Sequence, residues 1–454
     1  MLADSQPRLP CFKAYDIRGR VPEELDESLA RKIGRAYAGF TGAERVVVGH
    51  DIRTSSPALA AAVSAGLNAA GVDVLDIGLC GTEHVYFATF HLELGGGIMV
   101  TASHNPKDYN GLKLVREQSR PISEDTGLRE IERRIVHDEL GPAPGGGRRE
   151  AADVDAAYVR HLLGYVDMRK LRPLKVVVNA GNGGAGRVID QLEPHLPFEF
   201  VKVHHEPDGS FPNGVPNPLL PDNRKATADA IVAHRADLGI AWDGDFDRCF
   251  LFDETGGFIE GYYIVGLLAA SALARHPGGA VIHDPRLTWN TLEIVGEAGG
   301  RAVQSKSGHA FIKEVMRRED AVYGGEMSAH HFFREFSYCD SGMIPWLLVL
   351  EHICETGRSL SALVAERVER YPASGEINRR IADPQAALAR VRERYASRAL
   401  AVDETDGVGI DFADWRFNLR LSNTEPLIRL NVETRGDRAL LGVKTAEVLA
   451  LLES

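Results

Sequence analysis

"RVVVGHDIRTSSPALAAAVSAGLNAAGVDVLDIG", residues 45 to 78, moves from a β-branched run through a polar loop into an alanine-rich stretch. That stretch meets Gly71, and a second β-branched run follows. Short apolar runs bounded by turn residues read as buried strands, and the alanine-rich stretch with glycine at its end reads as a helix. The segment therefore predicts a βαβ unit. The same order recurs in "LKVVVNAGNGGAGRVIDQLEPHLPFEFVKVHHE" from Leu174 and in "GAVIHDPRLTWNTLEIVGEAGGRAVQSKSGH" from Gly279. Three such blocks predict an α/β chain with mostly parallel sheets, related by element order without a residue-level repeat.

Beyond residue 371 the pattern changes. "RFNLRLSNTEPLIRLNVE", residues 416 to 433, alternates apolar and polar residues on either side of Ser422-Asn423-Thr424-Glu425-Pro426. That is an antiparallel hairpin with a hydroxyl-rich tip, and a closing helix follows it. The Gly/Pro-rich "GPAPGGGRRE" and the turns "DETGG" and "YPASGE" set the expected borders. They give domains over 1–150, 151–254, 255–370 and 371–454, the first three α/β and the last a smaller α+β domain.

At 454 residues the chain exceeds what one core supports, and 44% hydrophobic with 26% charged residues fits a globular protein. A net charge of −12 without a long basic block argues against nucleic acid as a partner. Five scattered cysteines, with no Cys-x-x-Cys pair, suggest neither a disulfide framework nor a zinc site and fit a reducing cytoplasm. The start of the chain has no export-signal pattern, and its longest apolar segment falls short of the ~20 residues of a membrane span. A monomer or weak homo-oligomer acting on small molecules is expected.

Three predicted strands end in polar loops, where ligands of α/β sheets bind. "TASHNPKDYNGLK" places Ser103 beside His104 and puts Lys113 ten residues on. "DGDFDR" spaces Asp243, Asp245 and Asp247 at alternate positions, with Arg248 next. "GGEMSAHH" supplies Glu326, Ser328, His330 and His331. Three converging carboxylates repel unless a cation lies between them, and an all-oxygen set favours Mg²⁺ over zinc. A solvated turn balanced by Arg248 is the plainer alternative. Ser103 lacks the Gly-x-Ser-x-Gly elbow of an acyl-transfer nucleophile. A serine that exchanges phosphoryl groups needs instead a metal and nearby cations, which Lys113, Arg248 and Arg18 would supply; on its own, Ser-His-Asn-Pro is also a good turn. The hairpin tip, with Arg420, suits a phosphate. A competing pattern, Gly181, Gly183 and Gly186 with Glu206 twenty residues on, satisfies a dinucleotide fingerprint but would leave the serine and aspartate loops without a role.

Taken in order, "FKAYDIRG", "TASHNPKDYNGLK", "DGDFDR", "HDPRLTWN", "KSGHAFIKE", "GGEMSAHH" and "RLSNTEP" resemble the α-D-phosphohexomutases over nearly the whole chain. The bacterial phosphomannomutase/phosphoglucomutase members are the nearest match. The resemblance implies three topologically similar α/β domains and a smaller C-terminal domain around a central cleft. It implies a phosphoserine at Ser103 and Mg²⁺ held by Ser103 phosphate, Asp243, Asp245 and Asp247. Tyr15, Arg18, His104, Lys113 and Arg248 would surround the phosphoserine, with Lys113 and His309 as proton-transfer groups. Glu326, Ser328 and His330 would hold the sugar, Arg286 would contact the substrate, and Arg420, Ser422, Asn423 and Thr424 would bind its phosphate. The implied reaction exchanges hexose 1-phosphate and 6-phosphate, with mannose and glucose as sugars and hexose 1,6-bisphosphate as intermediate and activator. A phosphoglucosamine mutase, a Mg-dependent sugar phosphatase and a non-catalytic sugar-phosphate sensor remain as alternatives. Two positions depart from the family pattern: Phe246 stands where many members have glycine, and Arg286, which cannot titrate, stands where some have lysine.

Overall fold

The structure is a computed structural model that describes residues 8–421 and 427–453. Two compact units are present. One runs to Phe258 and takes in Glu335–Gly357; the other holds Ile259–Arg334 and continues from Arg358.

The block at residues 45 to 78 folds as its sequence predicts: strand Arg45–His50, helix Ser56–Ala69, strand Asp73–Leu79, with the two strands parallel. Val46, Val47 and Val48 are fully buried because helices cover both faces of the sheet. The next strand, Gly96–Val100, pairs parallel on the other side of Arg45–His50, and Tyr109–Arg116 then returns antiparallel beside it. Spatially the order is second, first, third, fourth.

That order recurs twice. In the same unit, Glu199–Val203, Lys175–Asn179 and Leu238–Trp242 pair in parallel, with Cys249–Phe252 antiparallel to Leu238–Trp242. In the other unit, Arg301–Gln304, Ala280–His283 and Tyr323–Gly325 are parallel and His331–Phe333 is antiparallel. The sheets are therefore mixed: each contains a parallel trio bordered on one side by an antiparallel strand. The antiparallel return matters for the sites. It allows a short loop, rather than a helical crossover, to join the third strand to the fourth. The serine, aspartate and glutamate loops all occupy this one connection.

The C-terminal sheet is wholly antiparallel, in the order Ile377–Arg380, Leu427–Thr434, Trp415–Leu421, Val408–Asp411, Ala401–Asp403. Phe417, Leu419 and Leu421 face Val432, Leu430 and Ile428 across the hairpin, as the alternation predicts. The closing helix is Arg438–Glu453. Among the described residues no helix is long and apolar enough to cross a membrane. All five cysteines are free.

Candidate active site

Ser103 follows the buried strand Gly96–Val100 by three residues, in a turn closed by Asn105 N–H on Ala102 O at 2.9 Å. Its backbone lies in the left-handed region, φ +48°. The side chain is buried, and Oγ donates to Asp243 Oδ2 at 2.7 Å while lying 3.0 Å from His104 Nδ1. Burial, helped by Arg248 and Arg18, depresses the His104 pKa well below the ordinary imidazole value. Arg18 binds the same turn, donating to Ala102 O at 2.7 Å and Asn105 Oδ1 at 2.6 Å while pairing with Asp16. Tyr15 is half-buried in a tight turn in which Lys13 N–H donates to Asp16 O.

The aspartate loop approaches from the second sheet of the same unit. Asp243, Asp245 and Asp247 are fully buried, and each offers a carboxylate oxygen within 4.8 Å of the others. Lys113, from strand Tyr109–Arg116, donates to Asp245 Oδ2 at 2.7 Å and Asp247 Oδ2 at 2.5 Å. Burial opposes the ammonium charge, but these two carboxylates outweigh it and raise its pKa. Arg248 Nε lies 3.6 Å from Asp243 Oδ2. Burial, reinforced by Asp247, raises the pKa of Asp243. Oδ1 of both Asp243 and Asp245 is buried with no hydrogen-bond partner among the described residues. Three buried carboxylates, with oxygens left over after one ammonium and one guanidinium, fit a hard divalent cation.

Replacing Lys113 with methionine should therefore cost about 3–5 kcal/mol, since buried carboxylates lose their partner. Thermal melts with and without millimolar Mg²⁺ check this, with part of the loss expected to return as the cation takes over the neutralisation.

Close packing holds the loop. A Cβ on Gly244 would stand 2.5 Å from Ser103 O, and one on Gly183 would stand 2.9 Å from Gly244 O, so only glycine lets the serine, aspartate and 180–184 backbones meet. Of the glycines that mimic a dinucleotide fingerprint, Gly183 is thereby accounted for by packing against the aspartate loop, while Gly181 packs against Pro216 and Gly186 against His205. The Phe246 ring packs against Gly81 and Gly184. Thr82, which sequence reasoning missed, donates from Oγ1 to Asp245 Oδ2 at 2.5 Å and from N–H to Asp245 O at 3.2 Å. Nothing in a lone threonine 163 residues away could have signalled that contact.

The second unit holds another cluster. Glu326 accepts from Gly308 N–H at 2.7 Å, and its Oε2 lies 3.0 Å from His330 Nδ1. Arg286 reaches Ser328 Oγ at 3.3 Å and pairs with Asp284 at 2.7 Å. His309 opens the helix His309–Glu319, its ring centroid 6.2 Å from that of His330. Three guanidiniums surround Glu376, another residue the sequence did not single out: Arg420 at 2.8 Å, Arg429 at 3.4 Å and Arg286 at 3.5 Å. Ser422, Asn423 and Thr424 lie outside the described residues.

Burial raises the Glu326 and Glu376 pKa values, but the bond and charge of His330 with Arg286, and the three arginines respectively, hold both down to about 2. A folded-state value below the ordinary 4.5 makes each carboxylate stabilising above that pH and progressively less so as pH falls toward 2. Thermal midpoints should fall through that window. Glu376→Gln should show a shallower slope than the parent chain in the same melts.

Four segments match the phosphoglucomutase/phosphomannomutase family: alpha/beta/alpha domain I over residues 10–141, domain II over 156–257, domain III over 260–371 and the C-terminal domain over 376–450. A protein of Xanthomonas campestris pv. campestris described as phosphohexose mutases is 64% identical over 444 residues, covering 98% of this chain and 99% of the relative. A phosphomannomutase of Salmonella montevideo is 60% identical over 453 residues, with 98% and 99% covered. A crystal structure of a phosphoglucomutase/phosphomannomutase family protein from Burkholderia thailandensis matches with a TM-score of 0.87 at 33% identity, covering 97% of each chain. With the serine and aspartate loops in one buried site and relatives this close over the full length, the chain belongs to the phosphoglucomutase/phosphomannomutase family.

Proposed function

We propose that this chain interconverts hexose 1-phosphates and hexose 6-phosphates, mannose and glucose among them, through a phosphoryl group carried on Ser103. The enzyme class follows from the family: a phosphohexomutase, an intramolecular phosphotransferase. The observation that carries the residue-level reading is the 2.7 Å hydrogen bond from buried Ser103 Oγ to Asp243 Oδ2, inside a carboxylate cluster suited to a divalent cation.

In this reading Asp243, Asp245 and Asp247 hold Mg²⁺, which when bound withdraws charge from the phosphate oxygens. Ser103 gives up its phosphoryl group as the P–Oγ bond breaks and a bond to the free sugar hydroxyl forms. The proton lost by that hydroxyl must be accepted as this happens. Lys113, held charged by Asp245 and Asp247, suits proton donation to Oγ better than proton abstraction. His309 remains the candidate acceptor. Arg18 and Arg248 spread the charge that develops on the transferred group. Glu326, Ser328 and His330 are assigned to sugar hydroxyls, Arg286 to a substrate contact, and Arg420 and residues 422–424 to the distal phosphate, with Tyr15 beside the serine loop. The resulting hexose 1,6-bisphosphate must turn end for end before Ser103 takes back the other phosphate. Added bisphosphate should therefore activate enzyme that has lost its phosphoryl group. A cytoplasmic setting, a monomer or weak homo-oligomer and the four-domain division at 150, 254 and 370 complete the reading.

Coupled turnover of mannose, glucose and glucosamine 1-phosphates, measured beside inorganic phosphate release, tests it. Isomerisation of mannose and glucose phosphates without matching phosphate release supports the mutase. Preference for the glucosamine ester, or release of phosphate at the rate of turnover, would replace it with one of the alternatives.

A further inference from the structure

A residue-level repeat does accompany the repeated architecture, contrary to the expectation from the sequence. His50-Asp51-Ile52-Arg53 and His283-Asp284-Pro285-Arg286 share the pattern His-Asp-x-Arg. Each begins at the end of the first strand of its sheet, Arg45–His50 and Ala280–His283. Their local bonds match. His Nδ1 lies 2.9 Å from the aspartate carbonyl in both copies. The arginine N–H donates to aspartate Oδ1 at 3.0 Å in one and 2.9 Å in the other. The second carboxylate oxygen then accepts from the segment after the third strand: Thr101 Oγ1 reaches Asp51 at 2.7 Å, and Met327 N–H reaches Asp284 at 2.9 Å. One device thus ties the end of the first strand to a site loop in two different sheets.

The guanidiniums differ in what they hold. Arg53 is 1% exposed, and its Nη1 donates to Pro106 O at 2.7 Å and Tyr109 O at 2.9 Å. Its Nη2 donates to Ser103 O at 2.9 Å and Asn105 O at 2.6 Å. Four carbonyls of the serine loop therefore converge on one cation. Arg286 instead meets side chains: Asp284, Ser328, and the carboxylates of Glu326 and Glu376 at 3.5 Å each.

Resting on the phosphoserine reading of Ser103, we infer that Asp51 and Arg53 are a positioning pair that fixes where Ser103 Oγ points, while Arg286 in the second copy acts on the ligand side. Converging carbonyl dipoles repel one another, and a left-handed serine costs on the order of 1 kcal/mol, so the turn persists only if something over-determines it. A planar guanidinium answers both needs, because its fork of in-plane donors matches several acceptors at once; an ammonium is a point charge with three donors. A shift of about 1 Å in a reacting atom costs about 10²-fold in rate.

The same substitution in the two copies separates the roles. Arg53→Lys should lower kcat about 100-fold while KM and the Mg²⁺ activation constant stay within about twofold. Phosphoryl loading of Ser103 from glucose 1,6-bisphosphate should slow in the same ratio. Arg286→Lys should act chiefly on KM, raising it about tenfold through lost bidentate contacts. An Arg53→Lys protein that is folded by near-ultraviolet circular dichroism yet keeps kcat within about threefold, or that changes KM alone, overturns the assignment. Should that variant not fold, Asp51→Asn decides: it keeps the shape of the turn and weakens the pair, and an unchanged kcat there overturns the inference equally. Peptide mapping of the parent protein keeps the two readings apart, since absence of phosphate on Ser103 after bisphosphate loading would remove the phosphoserine and not the repeat.

Discussion

Ser103→Ala is expected to abolish hexose phosphate interconversion, with turnover falling by about 10⁴-fold or more, as removal of a covalent carrier does. At about 1.4 kcal/mol per decade, that is over 5 kcal/mol of transition-state stabilisation. The fold should register far less. The substitution removes one hydroxyl, and Asp243 Oδ2, which accepted its hydrogen bond at 2.7 Å, is left short of one donor. A cost of about 1–3 kcal/mol is the usual scale for a buried acceptor deprived of its partner. Activity and stability should therefore separate by several kcal/mol, which coupled turnover and thermal melts read on the same preparation. Intact mass should also show that the variant cannot take a phosphoryl group from glucose 1,6-bisphosphate. An alanine variant that still turns over within tenfold of the parent would mean that the phosphoryl group travels by another route.

The second large effect belongs to Asp245. Its Oδ2 already accepts from Thr82 and Lys113, whereas Oδ1 is buried without a hydrogen-bond partner among the described residues, so this carboxylate has an oxygen to offer a cation. Asp245→Asn keeps the shape and removes the charge. Turnover should fall by about 10³-fold, the scale on which losing electrostatic stabilisation of a transferring group is felt. Binding that favours the folded state by RT ln(1 + [L]/Kd) makes the parent melt later as Mg²⁺ rises, by about 2.7 kcal/mol at a hundredfold excess over Kd. In the variant that rise should vanish while the melt without metal moves little, because relief of repulsion with Asp243 and Asp247 offsets the weakened bond to Lys113. Unchanged Mg²⁺ dependence of both activity and melting would move the cation site elsewhere.

These effects rest on residues that differ in how visible they were from the sequence. Ser103 and the three aspartates announced themselves because each follows a short apolar run, in loops whose side chains a plain turn does not need. The hairpin at 416–433 was visible for a similar reason, since alternation with period two admits one pairing of faces, and Phe417 does meet Val432. Lys113 was expected near the phosphoserine, but its 2.5–2.7 Å bonds to Asp245 and Asp247 required two sheets to be brought together. The same holds for Thr82 and Glu376. Their chemistry comes from partners far away in the chain, and no local pattern records a partner. Arg53 is a different case: its motif was there to be read beside that of Arg286, and only the matching hydrogen bonds gave four shared letters a meaning.

The glycines make the same point from the other side. Gly181, Gly183 and Gly186 satisfy a nucleotide-binding pattern in sequence, yet Gly183 is where the backbone of the aspartate loop comes within van der Waals reach. Absence of a side chain says that something must come close, and not what. The chain by itself determined the three α/β blocks, the antiparallel C-terminal hairpin and the identity of the serine and aspartate loops, because strand periodicity and turn chemistry are local properties. Only the tertiary structure decided that all three site loops are the same connection of the same strand order. It alone decided which cation neutralises which carboxylate, and that Arg53 spends its guanidinium on backbone while Arg286 does not, since those outcomes depend on distances between segments that the sequence leaves free.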